Sequence, residues 1–317
     1  MAIASIWKIH SIERVLAGQD PLLVSNGTIA GITNVSMPVQ ANVTREVTGS
    51  NTFASSGRID FTTVDLTFTS LMAQRMFELI PVRGACIAGG DTWNVYVAQY
   101  GCDGPLAGVV HRRYTIAKGM LYLTNVQADH AGDLQVSAQL QAVFDGTVPV
   151  SYVASNLPSA TQIGDETGRW TISDKTTTNS AAVVNKRSVS VDMGVSTSTQ
   201  GADSEAFDSF ASIDTILPVV TVTGIDPTWF DSIGLTINGA TVTHGNTKVG
   251  FRKRLNGGGF VADNVSAHIT MSANGPAYYD QLFSSSGTDA GIMSYRLEPT
   301  LSSTNQEPLI FNTEQTI

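Results

Sequence analysis

The chain has 317 residues, of which 42% are hydrophobic and only 14% are charged. Globular chains usually carry ~25% charged residues, and here serine, threonine, asparagine, glutamine and glycine take their place. The hydrophobic fraction excludes wholesale disorder. The net charge of −9 disfavours tight binding to nucleic acid, since an acidic surface repels phosphates, but it does not exclude nucleic acid that passes without sticking.

Residues 1–30 are predicted to form an N-terminal arm, which could be a short helix or an extended segment. Its apolar run is interrupted at Lys8, His10, Glu13 and Arg14, which is not the pattern of a signal peptide. No window approaches ~18 uninterrupted apolar residues. We therefore expect neither a transmembrane helix nor a membrane partner.

Strand patterns dominate the rest of the chain. Apolar and polar residues alternate in 58–68, 92–100, 119–128, 187–193, 217–224 and 264–272. In the first of these segments the alternation changes face at Thr62–Thr63, which predicts a β-bulge. Asn238 and Gly239 lie between two further β-prone runs and predict a tight hairpin turn. These signals together predict a mainly β protein.

The strand pattern of 133–146 has an unusual polar face. Apolar residues occupy every second position from Leu134 to Phe144, and the positions between them include Gln135, Ser137, Gln139 and Gln141. An uncharged amide face is hydrated, but it neither binds nor strongly repels a passing polymer, and it can bond to a neighbouring subunit without the desolvation cost of an ion pair. The pattern therefore suits a channel wall, a subunit interface or a plain solvent face.

Helical patterns are few. Ser70–Ile80 has apolar residues at helical spacing, with Ser70 as a candidate cap, and Pro227–Ile233 could form a shorter helix. Polar residues, glycine and proline fill the middle of the chain, where one edge strand is expected near Trp170. The predicted organisation is an N-terminal arm (1–30), a first β domain (31–154), a polar linker (155–185), a second β domain (186–298) and a C-terminal tail (299–317).

The two predicted β domains look related. Phe53–Ser70 aligns without gaps to Phe207–Gly224, with identities at Phe53/Phe207, Ser55/Ser209, Ile59/Ile213, Asp60/Asp214, Thr67/Thr221 and Thr69/Thr223. The closing parts are matched through Asn125 with Asn264, Val136 with Met271, and Phe144 with Tyr279. The fold predicted is two tandem, duplicated β-sandwich or barrel units, each with one short helix.

No grouping of residues indicates a reaction, a cofactor or a metal. His130 lies between Asp129 and Asp133, and the flanking alanine and glycine favour a polar turn over a metal site or catalytic base. Cys86 and Cys102 are expected to be ordinary semi-buried thiols, because nothing else indicates an oxidising compartment. We therefore predict that the protein is not an enzyme and that it has no catalytic, cofactor-binding or metal-binding residues.

Two basic clusters precede the closing strands of the two halves. They comprise Arg112 and Arg113 in the first half, and Arg252, Lys253 and Arg254 in the second. Arginine beside aromatic residues can bind phosphate, but in an acidic chain such clusters are more often solvated strand edges or halves of ion pairs between subunits. We count them, with the four residues of the amide face, as candidates for self-assembly or for lining a lumen.

These features resemble the tail-tube fold of tailed bacteriophages, which includes tail tube, distal tail and hub proteins. The residues that carry the resemblance are the repeated Ser-x-x-x-Ile-Asp and Thr-x-Thr blocks, the helix after each, and the closing strands at Leu134–Phe144 and His268–Met271. The resemblance implies a virion protein, assembled in the host cytoplasm, whose rings stack into a DNA conduit. Its partners would be copies of itself, other virion proteins and DNA that passes without specific binding.

Two other classes of protein fit the same sequence features. A capsid protein of two jelly rolls is also a duplicated β architecture of this size, although the helix after an early strand in each half disfavours it. A carbohydrate-binding β-sandwich module would need an exposed aromatic platform, and Trp93, Trp170 and Trp229 are far apart in the sequence.

Overall fold

The structure of the chain is a computed structural model. It describes residues 6–22, 27–49, 52–158, 169–202, 205–226, 228, 233–235, 243–255, 257–286, 291–301 and 307–317.

The first half of the chain contains twelve described strands and one helix. They are β1 (Ile6–Val15), β2 (Thr28–Ile29), β3 (Ile32–Ser36), β4 (Val39–Glu46), β5 (Ser56–Ser70), α1 (Ala73–Leu79), β6 (Ala85–Ile87), β7 (Thr92–Gly101), β8 (Gly104–Pro105), β9 (His111–Ile116), β10 (Gly119–Asp129), β11 (Gln135–Ala142) and β12 (Ser151–Ser155). The mainly β class is therefore confirmed, and its cause is local, because β-branched and apolar residues alternate with polar ones along these segments.

The second half contributes eleven further described strands. They are β13 (Arg169–Ile172), β14 (Thr177–Thr178), β15 (Ala181–Ala182), β16 (Lys186–Asp192), β17 (Val195–Gln200), β18 (Phe210–Ile216), β19 (Val219–Gly224), β20 (Thr243–Arg254), β21 (His268–Ser284), β22 (Ile292–Leu297) and β23 (Leu309–Gln315). The predicted turn at Asn238-Gly239 lies outside the described residues, as does most of the helix predicted for 227–233.

Two local predictions in the first half are confirmed. The β-bulge lies where the alternation changes face, since Val39 pairs with Val64 and Ala41 with Phe61, which leaves Thr62 and Thr63 opposite a single residue of β4. Helix α1 lies within the predicted range. It begins after Met72 rather than after Ser70, so the predicted cap is wrong by two residues.

Most strands belong to one large antiparallel sheet that spans both halves of the chain. Its central order is β20, β21, β22, β19, β16, β10, β11, β5 and β3. The two halves meet where β16 pairs with β10, from Asn125 opposite Asp192 to Asp129 opposite Ser188. The domain boundaries drawn from the sequence therefore do not coincide with a break in the sheet.

Within this sheet each half repeats the same order of four strands. In the first half the order is β10, β11, β5 and β3, and in the second half it is β21, β22, β19 and β16. The registers also correspond, because Ser36 pairs with Thr67 in one half and Ser190 with Thr221 in the other, at the same sequence separation. We call these two sets of four strands the first and second sheet units.

The register irregularities recur as well. The β10–β11 pairing shifts after Leu123, and the β21–β22 pairing shifts after Tyr279, which is the corresponding position. Gly119 and Gly275 also correspond, and a Cβ atom on either would lie 2.1 or 2.0 Å from a carbonyl oxygen of the neighbouring chain segment. The two units thus share their bulge and their closest backbone approach.

The matches that the sequence suggested between the closing parts of the two halves are wrong. Val136 lies in β11, which pairs with β5, whereas Met271 lies in β21, whose described partners do not include β19. The strand that corresponds to β11 is β22, which pairs with β19. The mismatch arose because short runs of small residues recur by chance in a chain rich in serine, threonine and alanine.

Three segments expected to be arm, linker and tail contain paired strands. The first is β1, which pairs with β7 and β2 in a separate six-stranded sheet, so this stretch is not a free arm. In the linker, β13 pairs with β20, which confirms the edge strand near Trp170, and that indole is fully buried. In the tail, β23 pairs with β21, and Phe311 stacks on Phe77 of α1 at 4.1 Å between ring centroids.

The core lies against the apolar face of the large sheet. The same cluster of buried side chains includes Ile12 and Val95 of the six-stranded sheet together with Leu66, Val222 and Leu297 of the large sheet. The two sheets of the first half therefore share one core, as the layers of a β-sandwich do. Burial of the apolar side chains of β11 against this core leaves its amide side chains on the other face.

Candidate assembly surface

A polar, nearly uncharged face runs across both sheet units. Because residues paired across strands share a face, the register defines its rows. One row passes through Gln135, Gln127, Ser190, Thr221, Arg296 and Tyr278, and a second passes through Asn34, Thr69, Ser137, Asn125 and Asp192. We call this surface the amide face. It crosses the junction of the two halves without interruption.

The four residues predicted on β11 belong to this face but differ in exposure. Gln135 is exposed, Ser137 and Gln139 are half-buried, and Gln141 is buried. The Ser137 and Thr69 hydroxyls lie 2.8 Å apart, while Gln141 Oε1 has no hydrogen-bond partner among the described residues. The amide face is therefore most open at the Gln135 end of β11.

Charges on the amide face are few and have local partners. In the two rows only Arg296 and Asp192 are residues of a charged type. Arg296 Nη1 lies 3.6 Å from Asp280 Oδ1, and the Asp192 carboxylate accepts the backbone N–H of Gly194 at 3.0 Å. Such neutral surfaces exert little long-range attraction or repulsion on a charged polymer.

The two basic candidates of the first half do not lie with the amide residues of β11. Arg112 and Arg113 are on β9 of the six-stranded sheet, where the Arg112 guanidinium lies over the rings of Trp7 and Tyr152 at 5.9 and 5.7 Å from their centroids. These are cation–π contacts within the chain. The structure thus brings together the polar candidates of one strand, and it separates them from this basic cluster.

The second basic cluster is held by carboxylates of the same chain. Arg252, Lys253 and Arg254 lie on β20, and Arg252 Nη2 contacts Asp174 and Asp263, each at 2.9 Å. Arg254 Nη1 lies 3.0 Å from Asp133 Oδ1. Two of the three cations are therefore already paired within the chain, in part-exposed positions where such pairs contribute little stability.

The hairpin of β17 and β18 covers one part of the amide face. The Thr197 side chain hydrogen-bonds Tyr122, which is buried, and the Ile213 side chain and the Tyr122 Cβ atom both lie beside Gly84. Burial raises the pKa of Tyr122, and its hydrogen bond with Thr197 opposes that shift. We call this segment, residues 195–216, the second-unit hairpin.

Backbone and ring contacts hold the second-unit hairpin in place. Asp208 lies next to β18, where its backbone N–H donates to Thr62 O at 2.8 Å and its carbonyl accepts from Phe144 N at 2.8 Å. Phe207 stacks on Phe61 with ring centroids 5.1 Å apart. The hairpin of the second unit is thus docked on the first unit.

The corresponding hairpin of the first unit contacts the second-unit hairpin at its base, through Phe61 and Thr62, and is exposed beyond that base. Every residue of β4 is exposed, and so are the large apolar side chains of Val39, Val43, Ile59 and Phe53. We call this segment, residues 39–64, the first-unit hairpin. Exposed apolar side chains concentrated on one element are typical of an interaction surface.

Among the residues that the structure describes, each end of the repeated order presents a strand edge. At one end β3 pairs only with β5, so within the described part of the chain its other edge has no strand beside it. At the other end no described strand pairs with the outer edge of 281–284, where Leu282 and Phe283 are 52% and 68% exposed. Open edges carry unsatisfied backbone donors and acceptors that another strand can pair with.

Groups that could support chemistry are dispersed. His130 is exposed in a turn, and its backbone N–H donates to Arg187 O at 2.6 Å. Over the ranges given above, no three histidine, cysteine, aspartate or glutamate side chains are close enough to hold a metal ion. Cys86 and Cys102 are free thiols, but they are exposed, so the expectation that they are semi-buried is wrong.

The sequence did not reveal the most informative surfaces. The open edges and the docked hairpin depend on strand order, which no local pattern encodes. One signal was present, since the aligned blocks contain Ile59 and Ile213 at the same position. To tell which of these two isoleucines is exposed, one would also have needed to know that β17 pairs with β18.

No protein-family model matches this sequence, and no curated protein matches it. Among the helical residues that are described, none forms a helix long and apolar enough to cross a membrane.

Proposed function

We propose that this chain is a non-enzymatic structural protein of a virion, a phage tail tube or tail-tip component that self-assembles into rings around a DNA conduit. The observation that carries the proposal is the head-to-tail joining of two like sheet units through β16 and β10. A unit that joins a copy of itself within one chain has the complementary edges needed to join further copies.

Duplication of one ancestral unit accounts for this arrangement. Its support is the shared strand order, the matching Ser36–Thr67 and Ser190–Thr221 pairs, and the bulge at the same place in both units. Independent origins would have no reason to reproduce the position of a bulge. A duplicated unit would keep the ring contacts of its single-unit ancestor.

The amide face is the candidate wall of the conduit. DNA carries one negative charge per ~1.7 Å of axis, so a basic wall would hold it and a strongly acidic wall would repel it. A hydrated wall of glutamine, serine and threonine does neither. In this proposal Gln135 and, with less exposure, Ser137 and Gln139 contribute to the lumen, whereas Gln141 is buried behind it and the basic residues of β9 and β20 lie elsewhere on the ring.

Electron microscopy and light scattering of the purified full chain test the proposal. We expect rings or tubes with a central lumen. We also expect light scattering to give a mass in solution equal to that of several chains. Closed shells would favour the double jelly-roll capsid protein. A monomer at all concentrations that binds glycans would overturn the proposal in favour of a carbohydrate-binding module.

A further inference from the structure

The register assigns corresponding positions to the two hairpins. Val43 pairs with Ile59 in the first-unit hairpin, and Thr197 pairs with Ile213 in the second-unit hairpin. Ile59 and Ile213 are also aligned in the sequence. Thr197, which hydrogen-bonds Tyr122, and Ile213, which lies beside Gly84 next to that tyrosine, therefore correspond to Val43 and Ile59, and both of these are exposed.

The register also assigns a counterpart to the surface under the docked hairpin. In the first unit Tyr122 pairs with Gln139, which pairs with Thr67. In the second unit Tyr278 pairs with Arg296, which pairs with Thr221, so Tyr278 occupies the position that corresponds to Tyr122. Tyr122 is 4% exposed because the second-unit hairpin covers it, whereas Tyr278 is 40% exposed. The second unit thus has an uncovered copy of the surface that is covered on the first.

The first-unit hairpin cannot reach Tyr278 of its own chain if the sheet is open. Six strands separate β3 from β21 in the sheet order, and neighbouring strands lie ~4.8 Å apart, so the two edges are roughly 34 Å from each other. The docked hairpin, by contrast, reaches β10 and β5 of the first unit, which lie no more than three strands from β16. The occupant that fits is the hairpin of another copy whose β3 lies beside this β21.

We infer that the first-unit hairpin of one copy clasps the Tyr278 surface of a second copy, with Val43 and Ile59 against Tyr278. In the same junction β3 of the first copy pairs with 281–284 of the second, as β16 pairs with β10 within the chain. This inference rests on the proposed self-assembly and names the surfaces that perform it. The contact covers apolar side chains on both copies, which stabilises it by removing them from water.

A photo-crosslinker at the uncovered surface tests the clasp. Tyr278 is replaced by p-benzoyl-L-phenylalanine in the full chain, and the assembled protein is irradiated. We expect crosslinked dimers and longer ladders on denaturing gels, with the crosslinked peptides mapped to residues 39–64 of another copy. The same amino acid at Val110, which is 63% exposed next to β9, is the matched control and should not crosslink to that hairpin.

A substitution gives an independent readout. Ile59→Asp adds a charge to a side chain that is 58% exposed, so the single chain should fold with an unchanged circular dichroism spectrum. We expect it to raise the concentration for half-assembly by about tenfold or more, as loss of a central interface contact does. Val110→Asp is the control and should assemble as the wild type does.

The outcomes separate this inference from the proposed function. Assemblies that form normally with Ile59→Asp, or crosslinks that map away from 39–64, would overturn the clasp and leave self-assembly intact. A wild-type chain that remains monomeric, without crosslinked dimers, would overturn both.

Discussion

At the scale of single residues, one buried hydrogen bond anchors the six-stranded sheet. Glu13 and Tyr96 are both fully buried, and Tyr96 Oη donates to Glu13 Oε2 at 2.6 Å. Burial and the neighbouring carboxylate raise the pKa of Tyr96 above its usual value, so the phenol stays a donor. The contact holds β1 against β7, which explains why the expected arm is a strand.

Removal of that donor should destabilise the fold. Tyr96→Phe leaves a buried carboxylate with one partner fewer, and we expect the free energy of unfolding to fall by about 1–3 kcal/mol. Urea unfolding monitored by circular dichroism measures the change. Tyr100→Phe, on the same strand but half-buried, is the control. Equal stability of Tyr96→Phe and wild type would show that the buried bond is not an anchor.

Because of Lys186, near the junction of the two units, we expect the free energy of unfolding to depend on pH. Burial lowers the pKa of this amine to about 8, although Asp174 opposes the shift, and Nζ donates to Val183 O at 2.6 Å. Between pH ~8 and ~10.4 the unfolded chain binds more protons at this site than the folded chain does. This site therefore makes the free energy of unfolding rise with pH across that window.

The comparison of two variants isolates this effect. We expect the stability of wild type relative to Lys186→Met to increase from pH 7.5 to pH 9.5, as measured by urea unfolding at each pH. Lys186→Arg keeps its charge throughout, so its stability relative to Lys186→Met should stay level over the same range. A level difference for the wild type as well would contradict the role of this half-buried amine.

At the scale of elements, the close approach at Gly275 holds the second unit in register. A Cβ atom there would lie 2.0 Å from Glu298 O, and the corresponding atom at Gly119 would lie 2.1 Å from Gln141 O. Both glycines lie in the strand that pairs with the last strand of the unit. The absence of a side chain lets these backbones meet, which a strand pattern alone does not explain.

Alanine at this position should therefore be costly. We expect Gly275→Ala to lower the free energy of unfolding by about 1–3 kcal/mol, because the backbone of β21 or of the segment after β22 must shift. Gly257→Ala, whose Cβ would meet nothing within 4 Å, is the control and should change stability by less than about 0.5 kcal/mol. Chemical denaturation measures both, and equal stabilities would mean that the close approach is easily relieved.

At the scale of the whole molecule, the junction between copies has a defined register. Within the chain Val189 pairs with Ala128, and the corresponding residues of the two open edges are Val35 and Ser284. Directly paired residues on antiparallel strands have Cα atoms ~4.5–5.5 Å apart, which is within the range of a disulfide. The register can therefore be tested by a crosslink between copies.

A cysteine pair makes that test. In a background with Cys86→Ser and Cys102→Ser, we expect Val35→Cys with Ser284→Cys to form covalent ladders between copies under mild oxidation. The off-register pair Val35→Cys with Gln281→Cys is roughly 10 Å apart along the strand and should not crosslink. Non-reducing gels measure the outcome, and ladders of equal yield from both pairs would refute a fixed register.

The sequence by itself determined the features that depend on neighbouring residues. The mainly β class, the bulge at Thr62–Thr63, the position of α1 and the polar face of β11 all follow from alternation and spacing along one segment. The alignment of 53–70 with 207–224 was also visible. These predictions succeeded because a side chain's face in a strand is set by its position in that strand.

Only the tertiary structure decided which strands are neighbours. It made the expected arm, linker and tail parts of sheets, and it replaced the match of Val136 with Met271 by the correspondence of β11 with β22. Strand pairing joins segments that are distant in sequence, and many partners satisfy the same alternating pattern. The open edges and the exposed hairpin are products of that choice, so the surfaces proposed for assembly became visible only with the fold.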